Sequence, residues 1–188
     1  MKLWQATLLP SAVAARSPGA LVVIAAALLA GCSGSISSGI TESGATTRQG
    51  SRNSMVQMVR AAGQVGNELD VQPLRDPQVE DLRAAAAQAE QRSDFATAQR
   101  ILSQALLTTP DDPDLLQWKA ELALATRDWA QAEQLAMRSY DKGPKLGGLC
   151  RRNWTTIRFA AEARSNTGAA TQAQQHVSAC TVAPPTRM

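Results

Sequence analysis

Apolar residues recur at helical spacing along residues 78–140, and short polar breaks divide this stretch into four predicted helices. The four are predicted over Gln78–Gln91, Asp94–Thr109, Pro113–Thr126 and Asp128–Tyr140. Alanine supplies much of the apolar content, which favours closely packed helices over a β-sandwich. The pattern therefore predicts an all-α domain.

Residues with capping chemistry stand at the predicted boundaries. Asp94 and Asp112 precede helices, where a carboxylate can accept hydrogen bonds from the first free backbone N–H groups. Pro113 suits a first helical turn, and Gly143 with Pro144 ends the fourth helix. The boundaries and the apolar pattern therefore agree.

A repeat with an offset of 34 residues runs through these helices. The stretch Asp94–Ala98 recurs as Asp128–Ala132, and Pro110 recurs as Pro144. An offset of this length resembles the helix–turn–helix unit of the tetratricopeptide-repeat (TPR) family. The resemblance implies antiparallel helical hairpins that stack as a short solenoid.

The TPR resemblance extends to individual packing positions. The small residue that opens the family's second helix is Ala98 in one unit and Ala132 in the next. The family's Trp, Leu, Gly and Tyr places in the first helix hold mostly small residues here: Leu82, Ala85, Ala86 and Ala89, then Leu116, Lys119, Ala120 and Ala123. The missing aromatic residues and the lysine make the match a divergent one.

A third, divergent unit is predicted when the seven residues Gly147–Asn153 are treated as an insertion. Ile157 then falls on a first-helix place and Ala173 on a second-helix place, whereas Arg164 fits its core place poorly. With this unit, the predicted TPR-like domain covers residues 78–185.

The N-terminus contains an apolar run of 11 residues, 20–30, which is too short to span a bilayer and is typical of a secretory signal. The tetrapeptide Leu29–Cys32 resembles the lipobox of bacterial lipoproteins. The resemblance implies that residues 1–31 are a signal peptide and that Cys32 is acylated, with palmitate among its chains. It also implies, from Ser33, sorting to the outer membrane with the domain facing the periplasm. The inner membrane and the cell surface stay open as alternatives.

Two segments join the signal to the domain. Residues 32–54 are predicted to be a flexible tether, because Ser, Thr and Gly occupy 14 of the 22 positions from 33 to 54. Residues 55–77 are predicted to form a short helix and an extended lead-in. Met55, Met58 and Val59 share a face of that helix, and packing on the domain is its expected role.

The distribution of charge narrows the class of partner. The chain carries +3, but Lys2 and Arg16 lie in the predicted signal, which leaves 17 basic and 16 acidic residues, or +1, in residues 32–188. A nucleic-acid partner is therefore not predicted. Residues 70–141 are mainly acidic and residues 142–188 mainly basic. This asymmetry either steers a partner or is an ordinary solvated surface.

No constellation in the sequence is typical of catalysis, a metal site or a cofactor site. His176 is the single histidine and lies beside two glutamines on a predicted helix. Asp111, Asp112 and Asp114 cluster before a helix, where capping explains them better than calcium binding, because the spaced oxygen ligands of a calcium loop are missing. The protein is therefore predicted not to be an enzyme and to bind neither metal nor cofactor.

Cys150 and Cys180 are the two thiols that remain once Cys32 is acylated. They fall at the entry and near the end of the third predicted hairpin, and antiparallel helices bring such positions together. In an oxidising compartment a disulfide between them is predicted. A catalytic or exchange-prone pair is the alternative, although no CxxC spacing supports it.

The TPR resemblance implies that the first helices of the hairpins line a groove for a peptide or a partner protein. Transferred to this chain, the candidate groove is rich in charge: Glu80, Arg83, Glu90, Asp114, Gln117, Glu121, Trp154, Arg158 and Glu162. The prediction is an acidic groove with a basic end and with Trp154 at the interface. Charge reversal of Glu121 and Asp114 is expected to weaken capture without unfolding the domain.

The predicted function is that of a membrane-anchored adaptor or scaffold for protein partners in the cell envelope, as in outer-membrane protein assembly or pilus secretion. The alternative is a structural lipoprotein that contacts peptidoglycan or another polysaccharide through Arg151, Arg152 and Arg158. Fold alone does not distinguish the two.

Overall fold

The computed structural model describes residues 42–66 and 74–181, apart from the side chains of residues 42–49 and 51–53. The predicted signal peptide and Cys32 lie outside the described residues. The described residues form seven helices and no strand: α1 (Glu42–Gly63), α2 (Pro77–Gln91), α3 (Phe95–Thr108), α4 (Pro113–Thr126), α5 (Trp129–Lys142), α6 (Gly148–Ala163) and α7 (Thr167–Ala179).

Helices α2 to α7 form three hairpins, which confirms the predicted all-α repeat architecture. α2 pairs with α3, α4 with α5, and α6 with α7, while α3–α4 and α5–α6 contacts stack the hairpins. We call α2, α4 and α6 the inner helices, and α3, α5 and α7 the outer helices. α4 also packs on α6 and contributes more buried residues to the core than α2 does.

Each hairpin turns through the same local geometry. One residue in each turn adopts a left-handed backbone conformation: Ser93, Arg127 and Ser165, with φ of 60°, 65° and 58°. The next residue caps the outer helix, because its side chain accepts a hydrogen bond from the backbone N–H three residues further on: Asp94, Asp128 and Asn166. The repeat seen in the sequence is therefore a repeat of turn and cap.

The third hairpin is present, but its register differs from the prediction. Asp128 and Asn166 occupy equivalent places, since the N–H of each bonds the carbonyl five residues earlier. Their offset is 38 (166 − 128), so the insertion relative to 34 is four residues and the predicted seven is wrong. The extra residues lengthen α6 to 16 residues, because most of the predicted insertion is helical. At this offset Trp154 takes the place of Leu116 (154 − 116 = 38), the family's tryptophan place.

Helix α1 is longer than predicted. It begins at Glu42, so residues 42–54 of the predicted flexible tether are helical. Once a helix is nucleated, each further residue adds a hydrogen bond at small cost, which allows a polar sequence to continue a packed helix. The expected packing of this helix on the domain is observed, with Val56 and Val59 4% and 0% exposed. Met58, however, points away from the domain and is 47% exposed.

The end of α1 lies directly on the start of α6. A Cβ atom on Gly148 would lie 2.6 Å from the carbonyl oxygen of Gly63, so the close approach requires glycine there. Arg151 is buried and its Nε donates to the carbonyl of Ala62 at 3.0 Å. These contacts satisfy backbone groups at the end of α1 and hold it on the domain.

The predicted disulfide is present. Cys150 in the first turn of α6 is bonded to Cys180 after the end of α7, with their Cα atoms 5.7 Å apart. The side chain of Arg151 also lies within hydrogen-bonding distance of the Cys180 carbonyl. The disulfide and Arg151 therefore join the ends of three helices, α1, α6 and α7.

Candidate functional site: the inner face and the α1/α2 cleft

The inner helices are where the sequence predicts a binding groove, and α1 lies on part of that face. It packs against α4 and α6. Val56 joins the buried cluster of α2, α3 and α4, and Val59 packs with Phe159 of α6 and Leu124 of α4. Burial of each valine contributes about 1.5–3 kcal/mol. The chain's own helix therefore fills the α4–α6 half of the predicted groove.

Glu121 lies at the centre of this packed half and is 0% exposed. It accepts hydrogen bonds from Nε of Arg60 on α1 at 2.8 Å and from Nε of Arg152 on α6 at 2.8 Å. The Gln117 side chain also donates to it at 3.1 Å, and to the Thr156 hydroxyl at 2.8 Å. Glu121 and Gln117 are therefore part of the internal interface between α1, α4 and α6.

Arg60 connects α1 to two inner helices. Its Nη2 lies 2.9 Å from Oε1 of Glu90 on α2, in addition to its bond with Glu121 on α4. Burial alone would lower the pKa of Arg60, but the two carboxylates outweigh burial and raise the pKa above its ordinary value. The guanidinium is therefore held charged between the two acids.

The predicted acidic groove stays a prediction, but three of its carboxylates form ion pairs with arginines of the same chain. Glu121 and Glu90 pair with Arg60, and Asp114 accepts from Nη2 of Arg75 at 2.6 Å. Both arginines lie before the predicted repeats. Charge reversal of Glu121 would place a positive group between Arg60 and Arg152, at a position that is itself 0% exposed.

The third unit places its predicted groove residues away from α1. Trp154 stacks on His176 with ring centres 3.9 Å apart and makes a T-shaped contact with Tyr140, whose ring centre is 5.0 Å away. Arg158 pairs with Glu162 on the same helix at 2.6 Å. The offset of 38 explains this for Arg158 and Glu162. They were assigned to the groove on the assumption of a seven-residue insertion, but the insertion is four residues, so each assignment lies three positions too far along α6. The residues of α6 that meet α1 include Arg152 and Phe159 instead.

An open cavity of about 520 Å³ remains between α1 and α2, and we call it the α1/α2 cleft. Its walls come from five helices and the first hairpin turn: Val56, Gln57, Arg60, Arg83, Ala87, Glu90, Gln91, Ser93, Phe95, Asp114, Trp118 and Arg152. Three predicted groove residues, Arg83, Glu90 and Asp114, lie here. Glu80 stands beside the cleft, 3.6 Å from Nε of Arg83.

Trp118 is the large aromatic group of the cleft. Its Nε1 donates to Oε2 of Glu90 at 2.8 Å, which fixes the ring. The guanidinium of Arg83 lies 5.5 Å from the ring centre, within the range of a cation–π contact. Half-buried tryptophan and arginine side chains are the usual anchors of protein interfaces. The arrangement therefore suits recognition of a partner side chain.

The α1 half of this site was missed in the sequence because it lies outside the repeat. Arg60 follows Val56 by four positions and Val59 by one, so it lies at the edge of the apolar face of α1. A charge in that position was the feature of the sequence that could have indicated its role.

The part of the chain that the structure describes contains no group of three or more His, Cys, Asp or Glu side chains able to hold a metal. None of its helices combines the length and apolar character needed to cross a bilayer.

Comparison with known proteins agrees with this architecture. Residues 89–139, from the end of α2 into α5, match the model of the tetratricopeptide-repeat family. The match covers one and a half hairpins, and the stack as a whole has a TPR-like helical-repeat fold. Among solved structures, the globular C-terminal domain of LpoP from P. aeruginosa is 28% identical, with a TM-score of 0.53. The match covers 56% of this chain and 99% of that domain. No curated protein sequence matches the chain.

Proposed function

We propose that the protein is a lipid-anchored adaptor of the bacterial cell envelope that holds a protein partner in the α1/α2 cleft. The observation that carries the proposal is the cleft itself. A TPR-type stack, whose first helices form the binding face in the resembled family, keeps a partly apolar opening there although α1 fills the rest of the face. The cleft supplies binding groups, and the proposed role is recognition without catalysis.

The proposed anchor is Cys32, for which the lipobox resemblance is the support. It precedes the start of α1 by ten positions (42 − 32). Along α1, Val56 lies fourteen residues after Glu42, which at 1.5 Å per residue is about 21 Å. A helix of this length, joined to the inner face at its far end, would present the cleft at a short distance from the membrane.

Outer-membrane sorting with the domain in the periplasm is the proposed location, supported by Ser33 after the lipobox. Similarity to the LpoP domain supports a globular module of this kind. Outer-membrane protein assembly and pilus secretion are the pathways proposed for the partner. Partner affinity at a membrane surface gains from tethering, because both molecules share a small volume.

The alternative function, contact with a polysaccharide, was predicted to use three arginines, and in the structure all three are engaged within the chain. Arg151 is buried against backbone carbonyls, Arg152 is bonded to Glu121, and Arg158 pairs with Glu162. These guanidinium groups are already engaged, so binding to the cell wall through them has little support.

Site-specific photo-crosslinking of the full lipidated chain in its host bacterium tests the proposal. A crosslinking amino acid at Gln57, on the cleft wall, is expected to capture an envelope protein, and Gln134, exposed on the outer helix α5, is the matched control expected to capture none. The proposal fails if Gln57 gives no protein adduct, if Gln134 gives the same adduct, or if Gln57 labels only wall polymer.

A further inference from the structure

Three guanidinium groups line the α1/α2 cleft, and their charges are compensated unequally. Arg60 pairs with Glu90 and Glu121, and Arg152 lies 2.8 Å and 2.6 Å from Glu121 through two of its nitrogens. The ion pair that Arg83 makes is longer, at 3.6 Å from Nε to the half-exposed Glu80. An exposed pair of this length contributes little, because water screens it.

The nitrogen Nη1 of Arg83 is buried and has no hydrogen-bond partner among the described residues. The two carboxylates that line the cleft form hydrogen bonds with other residues. Glu90 accepts from both Arg60 and Trp118, and Asp114 accepts from Arg75 at 2.6 Å. Among the three guanidinium groups that line the cleft, Arg83 is therefore the one with the weakest ion pairing.

Apolar surface surrounds this charge. The Trp118 ring lies beside the guanidinium, and the largely buried side chains of Phe95 and Val56 form part of the wall. The cavity of about 520 Å³ falls within the range of known ligand pockets and has room for a few side chains. Cation–π contact with a ring that is itself hydrogen-bonded restricts the guanidinium before any partner arrives.

We propose that the α1/α2 cleft binds an acidic segment of a partner protein. A glutamate or aspartate side chain of the partner accepts hydrogen bonds from Arg83, and a neighbouring apolar side chain packs on Trp118. An arginine that is only weakly paired suits a carboxylate, because its planar fork can donate two parallel hydrogen bonds once the side chain turns toward the cleft. The inference rests on the proposed adaptor function and adds the chemistry of the partner.

The test uses the full chain purified from membranes in detergent and a short fluorescent peptide of alternating glutamate and leucine. Fluorescence anisotropy measures binding, and the same peptide with glutamine in place of glutamate is the control. Arg83→Gln is expected to weaken binding of the acidic peptide about tenfold, the usual effect of one charge-assisted pair. Arg100→Gln, at an exposed arginine on the outer helix α3 outside the cleft, is expected to leave binding unchanged.

A second variant gives an effect of opposite sign. Glu80→Gln removes the carboxylate that competes for Arg83, so the acidic peptide is expected to bind at least about twofold more tightly. A loss of folding cannot produce tighter binding, and circular dichroism of each variant confirms that the helices are intact. This variant keeps the proposal testable even if Arg83→Gln proves unstable.

The proposal is overturned if the acidic peptide does not bind, if the glutamine peptide binds equally well, or if Glu80→Gln and Arg83→Gln leave the affinity unchanged. These outcomes differ from a failure of the adaptor function. Persisting protein adducts from Gln57 with no acidic-peptide binding would reject the partner chemistry alone. Absence of protein adducts from Gln57 would reject the adaptor function itself.

Discussion

Replacement of Glu121 with glutamine is expected to lower the free energy of unfolding by about 3 kcal/mol, the lower end of the cost of breaking a buried ion pair. The carboxylate is 0% exposed and lies between Arg60 and Arg152. Its loss leaves two guanidinium groups close together without their shared acid. The lower end applies because both arginines keep some contact with water, at 41% and 24% exposure.

Urea unfolding followed by circular dichroism measures this effect. Glu133→Gln is the matched control, since Glu133 pairs with Arg164 near the surface, where an ion pair contributes at most about 1 kcal/mol. A cost for Glu121→Gln no larger than that of the control would mean that α1 does not depend on this network.

Loss of the disulfide is expected to lower the free energy of unfolding by about 3–4 kcal/mol in the chain-entropy model, for a loop closed by residues 30 apart. The reason is that the reduced unfolded chain has many more conformations. The effect is large for a small domain with few aromatic residues in its core. The variant is Cys150→Ser with Cys180→Ser, compared with the oxidised protein in thermal and urea unfolding.

A matched control separates the bond from the side chains. The unsubstituted protein with its disulfide reduced should unfold at nearly the same urea concentration as the double serine variant. If the reduced protein instead kept the stability of the oxidised one, the bond between α6 and α7 would make no contribution, contrary to this interpretation.

The outer helices of the first two hairpins, α3 and α5, could be predicted to within two residues because their signals are local. Asp94 and Asp128 are capping residues at a fixed offset, and the alanines four residues after them recur as small packing residues. The third hairpin lacks these identities, so its register had to be guessed from core positions alone. In the structure, the left-handed conformation of Ser165 and the cap at Asn166 identify the register. A serine in that conformation cannot be recognised from the sequence.

The charge state of the groove could not be predicted from the repeat, because it depends on residues distant in sequence. Arg60 reaches Glu121 across 61 positions, and Arg75 reaches Asp114 across 39. The amino-acid composition gives the number of arginines and acids but does not show which of them form ion pairs. Several acids expected on the inner face of α2 and α4 are therefore paired with arginines, and Arg83 makes the longest ion pair of the three guanidinium groups that line the cleft.

Hydrogen exchange of the backbone amides from Val56 to Ala62 tests the central claim most directly, namely that α1 is an integral part of the inner face. Packed against α4 and α6, these amides should exchange as slowly as those at the centre of α4, through opening that approaches global unfolding. Fast exchange in α1, with α4 and α6 still protected, would show that α1 leaves the inner face readily and would contradict the account.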